Sequence, residues 1–177
     1  TVSPNLFLIM KDQRFLVTGA SRGIGRAIAV QLASQGAKVA GLATSHENLE
    51  ETARAVQDAG GTFLSLAGDI SLPETAASAV GQVLEKWGGV DGLIANAGIT
   101  RDGLLMRMST DDFEQVVATN LGGSFHLLKA VTRPMMKQRF GRVVLIGSVV
   151  ASIGNPGQAN YCAAKAGLHG LARSAAL

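Results

Sequence analysis

Short apolar runs alternate with longer segments of helical period along most of the chain. Five of these runs end at a glycine or a polar residue and predict β-strands over 14–18, 38–43, 62–67, 91–95 and 142–147. Most show no apolar–polar alternation, which is typical of strands buried on both faces of a parallel sheet. The pattern therefore predicts a sheet that is covered by helices on both sides.

Helical segments lie between the predicted strands. The spacing of apolar residues predicts helices over 26–33, 47–59, about 73–87, about 110–138 and a last one that carries Tyr161. Gly122, Gly123 and Pro134 are expected to bend or locally break the long fourth helix. Regular alternation of strand and helix predicts an α/β fold of the Rossmann type, with a doubly wound parallel sheet.

The domain organisation follows from the same pattern. Residues 1–13 show no clear period and are predicted to be an N-terminal tail, and residues 14–177 are predicted to form one domain. In open α/β sheets, ligands bind outside the carboxyl ends of the strands. Because Gly19, Asp69, Asn96 and Ser148 each follow a predicted strand, we expect them to converge on one crevice.

Composition removes several classes of function. The 177 residues carry a net charge of +3 with mixed signs, so no basic run predicts a nucleic-acid or membrane surface. Cys162 is the only cysteine and the three histidines are scattered, so no metal site is predicted. The early apolar run Leu6–Met10 is too short for a membrane span or a signal-peptide core, and a cytoplasmic location is expected.

A glycine-rich loop joins the first strand to the first helix. Gly19, Gly23 and Gly25 form a G-x-x-x-G-x-G spacing directly after an apolar strand and before a helical segment. Glycines let a backbone turn tightly and approach a phosphate, whose charge then lies at a helix N-terminus. The context predicts dinucleotide binding, and the alternative is a purely structural turn.

Tyr161 and Lys165 lie four residues apart in the last helical segment. Helical geometry puts such residues on one face, and a nearby ammonium favours the phenolate form of a tyrosine. Taken alone, this spacing also fits an ordinary helix face. The ordered motifs elsewhere in the chain favour a proton-transfer site.

The complete motif set resembles that of the short-chain dehydrogenase/reductases. The residues that carry the resemblance are Thr18 to Gly25, Asp69, Asn96-Ala97-Gly98, Asn120, Ser148 and the Tyr161/Lys165 pair. Two longer stretches, 98–108 and 147–161, resemble the bacterial 3-oxoacyl-(acyl-carrier-protein) reductases in particular. Members of this family continue beyond the position of Leu177 with two more strands, a helix and a lid, so the fold is expected to be truncated after the fifth strand and its helix.

The resemblance implies a catalytic set. Tyr161 would protonate a carbonyl oxygen, Lys165 would lower the pKa of Tyr161 and hold the nicotinamide ribose, and Ser148 would hydrogen-bond the substrate carbonyl. Asn120 would hold a water that passes protons to Lys165. Taken singly, Ser148 and Asn120 also fit turn or cap positions.

Cofactor choice is indicated by the end of the second strand. No acidic residue stands there to bind a ribose 2′-hydroxyl, whereas Arg22 and Thr44 could meet a 2′-phosphate. NADPH is therefore the expected cofactor. The predicted cofactor-binding residues are Gly19, Ser21, Arg22, Gly23, Ile24, Gly25, Thr44, Asp69, Ile70, Asn96, Ala97, Gly98, Tyr161 and Lys165.

The resemblance also implies partners and a reaction. The leading hypothesis is NADPH-dependent reduction of a 3-oxoacyl thioester in fatty-acid synthesis, on an acyl carrier protein or CoA, by a homotetramer. Arg139 matches a position used for carrier docking, although a solvated helix end explains it equally well. The alternatives are a general carbonyl or acetoacetyl-CoA reductase and a catalytically silent cofactor-binding subunit.

Overall fold

The computed structural model describes residues 10–177 and contains one five-stranded parallel sheet. The strands are β1 (Arg14–Thr18), β2 (Lys38–Ala43), β3 (Thr62–Ala67), β4 (Gly92–Ala95) and β5 (Arg142–Leu145). Their order in the sheet is β3-β2-β1-β4-β5. This order reverses direction between β1 and β4, which is the switch point of a Rossmann-type fold. The predicted fold class is confirmed, and β4 and β5 are slightly shorter than predicted.

Within residues 10–177, seven α-helices connect and extend the strands. They are α1 (Gly23–Ser34), α2 (Glu50–Asp58), α3 (Pro73–Trp87), α4 (Thr110–Val117), α5 (Gly123–Gln138), α6 (Val150–Ile153) and α7 (Ala159–Ala175). A 3₁₀ turn at Glu47–Leu49 leads into α2, and a second one lies at Leu105–Arg107. The sequence pattern predicted neither α6 nor the second 3₁₀ turn.

Two apolar clusters cover the two faces of the sheet. Successive strand residues point to opposite faces, so Phe15 and Val17 pack with α1 and α2, whereas Leu16 packs with α3 and α5. All three of these side chains are buried. This packing keeps β1 at the centre of the sheet and fixes where its carboxyl end opens.

The predicted long helix is interrupted near its middle. Between α4 and α5 the backbone forms a π-helical turn over Ala118–Gly122, so an interruption at Gly122 is confirmed. No break occurs at Pro134, because α5 continues through it to Gln138. A proline without an N–H removes only one bond there, near the last turn of the helix.

Two further features are the contacts of the N-terminal segment and the exposure of the last strand. Residues 1–9 of the predicted tail lie outside the described part of the chain. Met10 and Asp12 donate backbone hydrogen bonds to Gln35 and Gly36 in the turn between α1 and β2. At one edge of the sheet, β5 has exposed Val143 and Val144 side chains.

A bidentate ion pair fixes the amino ends of β1 and β4. The Arg14 Nε and Nη2 atoms donate to the two Asp91 carboxylate oxygens, each at 2.7 Å, and the Arg14 backbone N–H donates to Oδ2 at 2.9 Å. Both side chains are largely buried. Hydrogen bonds from Arg14 hold the pKa of Asp91 below its ordinary value. The pair lies at the amino ends of the strands, on the opposite side of the sheet from the carboxyl ends.

Asp91→Asn should lower the free energy of unfolding by about 2 kcal/mol at neutral pH, because the half-buried guanidinium of Arg14 loses its charged partner. Since the folded-state pKa of Asp91 is depressed, its stabilisation is present above the ordinary carboxyl pKa of about 3.9 and lost as the pH falls through the folded value. Urea denaturation at about pH 7 and pH 3 measures both effects. Asp12→Asn, which alters an exposed pair with Lys38, is the control. An equal loss at both pH values would contradict the prediction.

Candidate active site

A cleft of about 1460 Å³ opens at the carboxyl ends of the strands. It begins at the glycine loop after β1, passes the ends of β2 and β4, and reaches the end of β5 and α7. Most of the predicted site residues line it: Gly19, Ser21, Arg22, Ile24, Thr44, Asp69, Ile70, Asn96, Ala97, Gly98, Ser148, Tyr161 and Lys165. Gly23, Gly25 and Asn120 do not line it.

The glycine loop is shaped by close backbone contacts. Gly19 has φ +63°, and a Cβ there would lie 2.9 Å from both the Ala97 Cα and the side-chain Nδ2 of Asn96. A Cβ on Gly25 would overlap the carbonyl of Gly19, whereas one on Gly23, at φ +55°, would enter open space. Two of the glycines therefore permit tight packing, and Gly23 permits an unusual backbone conformation beside the cleft.

The backbone N–H groups of this loop from Ser21 to Gly25 lack protein acceptors within residues 10–177, and three of their residues, Ser21, Arg22 and Ile24, line the cleft. Arg22 at the N-cap of α1 adds no side-chain cap. Unsatisfied N–H groups at a helix N-terminus favour an anion. The residues present thus fit the pyrophosphate of a dinucleotide.

Asn96 and Thr18 join β4 to this loop. The Asn96 Nδ2 atom donates to the Thr18 and Gly19 carbonyls at 3.0 and 3.2 Å, and the Thr18 Oγ1 accepts from the Asn96 and Ala97 N–H groups at 3.1 Å. Thr18 is fully buried. The Asn96 side chain therefore stabilises the glycine loop. Thr18, which was outside the predicted site, stabilises the turn at Asn96 and Ala97.

The far end of the cleft has exposed cationic and hydroxyl groups. Arg22 and Thr44 are both exposed there. Asn48 donates to the Thr44 Oγ1 at 2.9 Å, which leaves the Thr44 hydroxyl hydrogen free for an acceptor. In the described part of the chain, Arg22 has no carboxylate partner, whereas Glu51 is paired with Arg26 at 2.8 Å.

Two further predicted cofactor residues lie beyond the end of β3. The Asp69 carboxylate accepts from the Ser71 N–H and hydroxyl at 2.9 and 2.8 Å, which fixes the turn before α3. Ile70 is buried against Gly123 at the start of α5. Both residues line the cleft, and Asp69 is exposed while it holds the turn.

Tyr161 and Lys165 lie one turn apart on α7. Lys165 is only 3% exposed, and its Nζ donates to the Ile146 carbonyl at 2.6 Å, just beyond β5. The same Nζ lies 5.7 Å from the centroid of the Tyr161 ring. Burial lowers the pKa of Lys165 below its ordinary value. The Ile146 carbonyl therefore fixes the ammonium close to the Tyr161 ring.

Ser148 stands between β5 and α6 and lines the cleft with Tyr161. Its backbone carbonyl accepts from the Ala151 N–H at 3.1 Å, which begins α6. Its side-chain hydroxyl makes no hydrogen bond to any of residues 10–177. Because the half-buried Ser148 hydroxyl has no protein acceptor, it is available to donate to a substrate oxygen.

Asn120 lies in the π-helical turn and is fully buried. Its Oδ1 accepts from the Ile99 N–H at 2.8 Å, and its Nδ2 donates to the Ile99 carbonyl at 3.0 Å. The side chain therefore clamps the segment that follows Gly98. The water-binding role of Asn120 remains a prediction.

Asn160 is a positioning residue that the sequence did not single out. It is fully buried directly before Tyr161, and its Nδ2 donates to the Arg101 and Asp112 carbonyls at 2.8 and 3.3 Å. Its Oδ1 accepts from the Tyr161 N–H at 2.8 Å. Asn160 thus connects the start of α7 to two segments that are distant in sequence. An uncharged amide beside a candidate tyrosine was the one available signal.

Arg139 does not line the cleft. It is exposed at the C-terminal end of α5 and adopts a left-handed backbone conformation with φ +56°. Its N–H donates to the Met136 carbonyl at 3.1 Å. The backbone of Arg139 therefore ends the helix, and its side chain is left to solvent.

Comparison with known proteins identifies the family. The family model described as short chain dehydrogenase matches residues 13–177. The chain belongs to the short-chain dehydrogenase family.

Within residues 10–177, no cluster of three or more His, Cys, Asp or Glu side chains is placed to bind a metal. No helix in the same range is long and apolar enough to cross a membrane.

Individual relatives narrow the similarity. The 3-oxoacyl-[acyl-carrier-protein] reductase FabG of Haemophilus influenzae is 48% identical over 94% of this chain and 68% of its own length. The protein of the same name from Escherichia coli is 52% identical over 91% of this chain and 65% of its own length. The chain thus spans about two thirds of the length of these curated relatives.

Solved structures show the same fold. A putative short-chain alcohol dehydrogenase from Sinorhizobium meliloti superposes with a TM-score of 0.91 at 36% identity, covering 95% of this chain and 67% of that one. An NAD⁺-bound xylitol dehydrogenase superposes with a TM-score of 0.92 at 34% identity, covering 95% and 65%.

Proposed function

We propose that this protein is an NADPH-dependent reductase of 3-oxoacyl thioesters, acting in fatty-acid synthesis. The observation that carries the proposal is the arrangement of one cleft. An uncapped glycine loop lies at one end, and Ser148, Tyr161 and the buried Lys165 lie at the other. The relatives named as 3-oxoacyl-[acyl-carrier-protein] reductases support the choice of substrate class.

The cofactor would be held along the cleft by groups already described. The loop N–H groups of Ser21, Arg22 and Ile24 would receive the pyrophosphate, and the side chains of Arg22 and Thr44 would receive the 2′-phosphate. When bound, the nicotinamide supplies the hydride. The absence of an acidic residue at the end of β2 removes the group that an NAD site uses for the 2′-hydroxyl.

Tyr161 would donate its hydroxyl proton to the substrate carbonyl oxygen as negative charge develops there. The unpaired Ser148 hydroxyl would donate a hydrogen bond to the same oxygen. The ammonium of Lys165, fixed on the Ile146 carbonyl, would stabilise the phenolate that remains on Tyr161. Asn160 and Asn120 would hold the backbone around these groups.

The substrate would be presented on an acyl carrier protein or CoA. The exposed Arg139 is a candidate contact for an acidic carrier, because its side chain is not used in the cleft. For assembly, an apolar groove of about 400 Å³ between α5 and α7, lined by Phe125, Met136 and Leu171, is a candidate contact with a second copy in a homotetramer.

The direct test is NADPH oxidation by the full-length protein with acetoacetyl thioesters on carrier protein and on CoA. We expect turnover with these thioesters to exceed turnover with simple ketones and quinones. Turnover on a simple ketone without turnover on either thioester would favour a general carbonyl reductase instead. Cofactor binding without turnover on any carbonyl would favour a silent binding subunit.

Arg22→Ala should weaken NADPH binding by roughly tenfold or more while NADH binding changes little, because a charge-assisted contact to the 2′-phosphate is removed. Titration followed by nicotinamide fluorescence measures both dissociation constants. Arg54→Ala is the matched control, since Arg54 also lines the cleft but is paired with Glu50. Equal weakening of both cofactors would argue against the assigned role.

A further inference from the structure

Two carbonyl groups of the glycine loop are held by side chains that the proposed cofactor site does not include. The Thr52 hydroxyl, from α2, donates to the Ala20 carbonyl at 2.7 Å. The Arg26 Nε, from α1, donates to the Ser21 carbonyl at 3.1 Å, and its Nη2 donates to the same oxygen. Adjacent peptide groups of the loop are thus fixed from two different helices.

Thr52 and Arg26 form one connected network. The Arg26 Nε also donates to the Thr52 Oγ1 at 3.1 Å, so the hydroxyl accepts from Arg26 while it donates to Ala20. Thr52 is fully buried. The Arg26 Nη1 pairs with the exposed Glu51 at 2.8 Å. A satisfied buried hydroxyl at the centre of such a network restricts the loop to one conformation.

The planar peptide group turns these contacts into an orientation for the N–H groups. In a trans peptide, the C=O of one residue and the N–H of the next point in opposite directions. The Ala20 carbonyl faces Thr52, so the Ser21 N–H points away from Thr52. In the same way, the Ser21 carbonyl faces Arg26, and the Arg22 N–H points away from it. Both N–H groups belong to residues that line the cleft.

We propose that Thr52 and Arg26 are positioning residues that preorganise the loop N–H groups for the pyrophosphate of the cofactor. This inference rests on the proposed function. It deepens that function because the loop N–H groups would bind the pyrophosphate, a part of the cofactor that NADPH and NADH share. Disturbing the network should therefore weaken both cofactors by the same factor, whereas Arg22 distinguishes them.

Thr52→Val provides the test, because it keeps the shape of the side chain and removes the hydroxyl. The buried Ala20 carbonyl then lacks its donor, and we expect the dissociation constants of NADPH and NADH each to rise about tenfold. The kcat at saturating cofactor should remain unchanged. Thr52→Ser should restore binding of both cofactors. These measurements use the full chain, and the dissociation constants come from fluorescence titration.

Controls make the outcomes distinct. Glu51→Gln leaves the Arg26 contacts to the loop in place and should change neither dissociation constant, whereas Arg26→Met should weaken both. If Thr52→Val does not fold, Arg26→Met decides the question. Unchanged binding in a folded Thr52→Val or Arg26→Met protein, or a loss restricted to NADPH, overturns the inference alone. Failure of the unmodified protein to bind either nucleotide overturns the proposed function as well.

Discussion

Tyr161→Phe should lower kcat for thioester reduction by about 10³-fold while NADPH affinity stays nearly unchanged. Phenylalanine keeps the ring at the same point of α7 but removes the hydroxyl that we propose as the proton donor. General acid catalysis contributes roughly 10²–10⁴-fold, and loss of a hydrogen bond to the developing oxyanion adds to the effect. Steady-state kinetics and cofactor titration on one preparation separate the two quantities.

Cys162→Ala is the matched control for that variant. Cys162 follows Tyr161 on the same helix and is half-buried with no disulfide partner in the described chain. Its replacement should leave kcat close to that of the unmodified protein, because the thiol has no role in the proposed reaction and contributes packing. Full turnover by Tyr161→Phe would remove Tyr161 as the acid. A comparable loss in Cys162→Ala would instead indicate that this part of α7 tolerates no change.

The fold could be predicted because its signals are local. Each signal depends only on neighbouring residues: uninterrupted apolar runs, glycines at the ends of strands and within the long helix, and the helical period. These signals predicted five strands and the interruption at Gly122. The β5 prediction extended two residues too far. The Ile146 carbonyl, just past the strand, accepts from Lys165 on α7, a long-range contact that no local pattern contains.

The site was predictable in its residue types and less so in their partners. Glycine spacing and the Tyr161/Lys165 pair indicated a dinucleotide and a proton-transfer site. Sequence alone could not reveal that the Asn120 side chain is hydrogen-bonded to the Ile99 backbone. Nor could it reveal that the Thr52 hydroxyl donates to the Ala20 carbonyl, 32 residues away. Such pairings depend on how α2 and the π-helical turn pack. Most of the predicted site residues therefore line the cleft, whereas the residues that support them were not predicted.

Lys165→Met should lower kcat by about 10²-fold without lowering the stability of the fold. At neutral pH the buried ammonium of Lys165 carries a desolvation cost, offset by one hydrogen bond to Ile146. Methionine of similar length removes that cost and also removes the charge that favours the Tyr161 phenolate. Activity and urea denaturation should thus respond differently. Lys86→Met, on the exposed surface of α3, should change neither.

The pH dependence gives a second measurement on the same lysine. Burial lowers the pKa of Lys165, so it loses its charge below the ordinary lysine value of about 10.4. The unmodified protein should therefore lose kcat on the alkaline side before exposed lysines titrate, and Lys165→Met should lack that decline. Between the folded and unfolded pKa values the unfolded chain binds more protons, so this residue makes the fold more stable as pH rises there. An alkaline decline that persists in Lys165→Met would assign the titration to another group and leave Lys165 with a purely positional role.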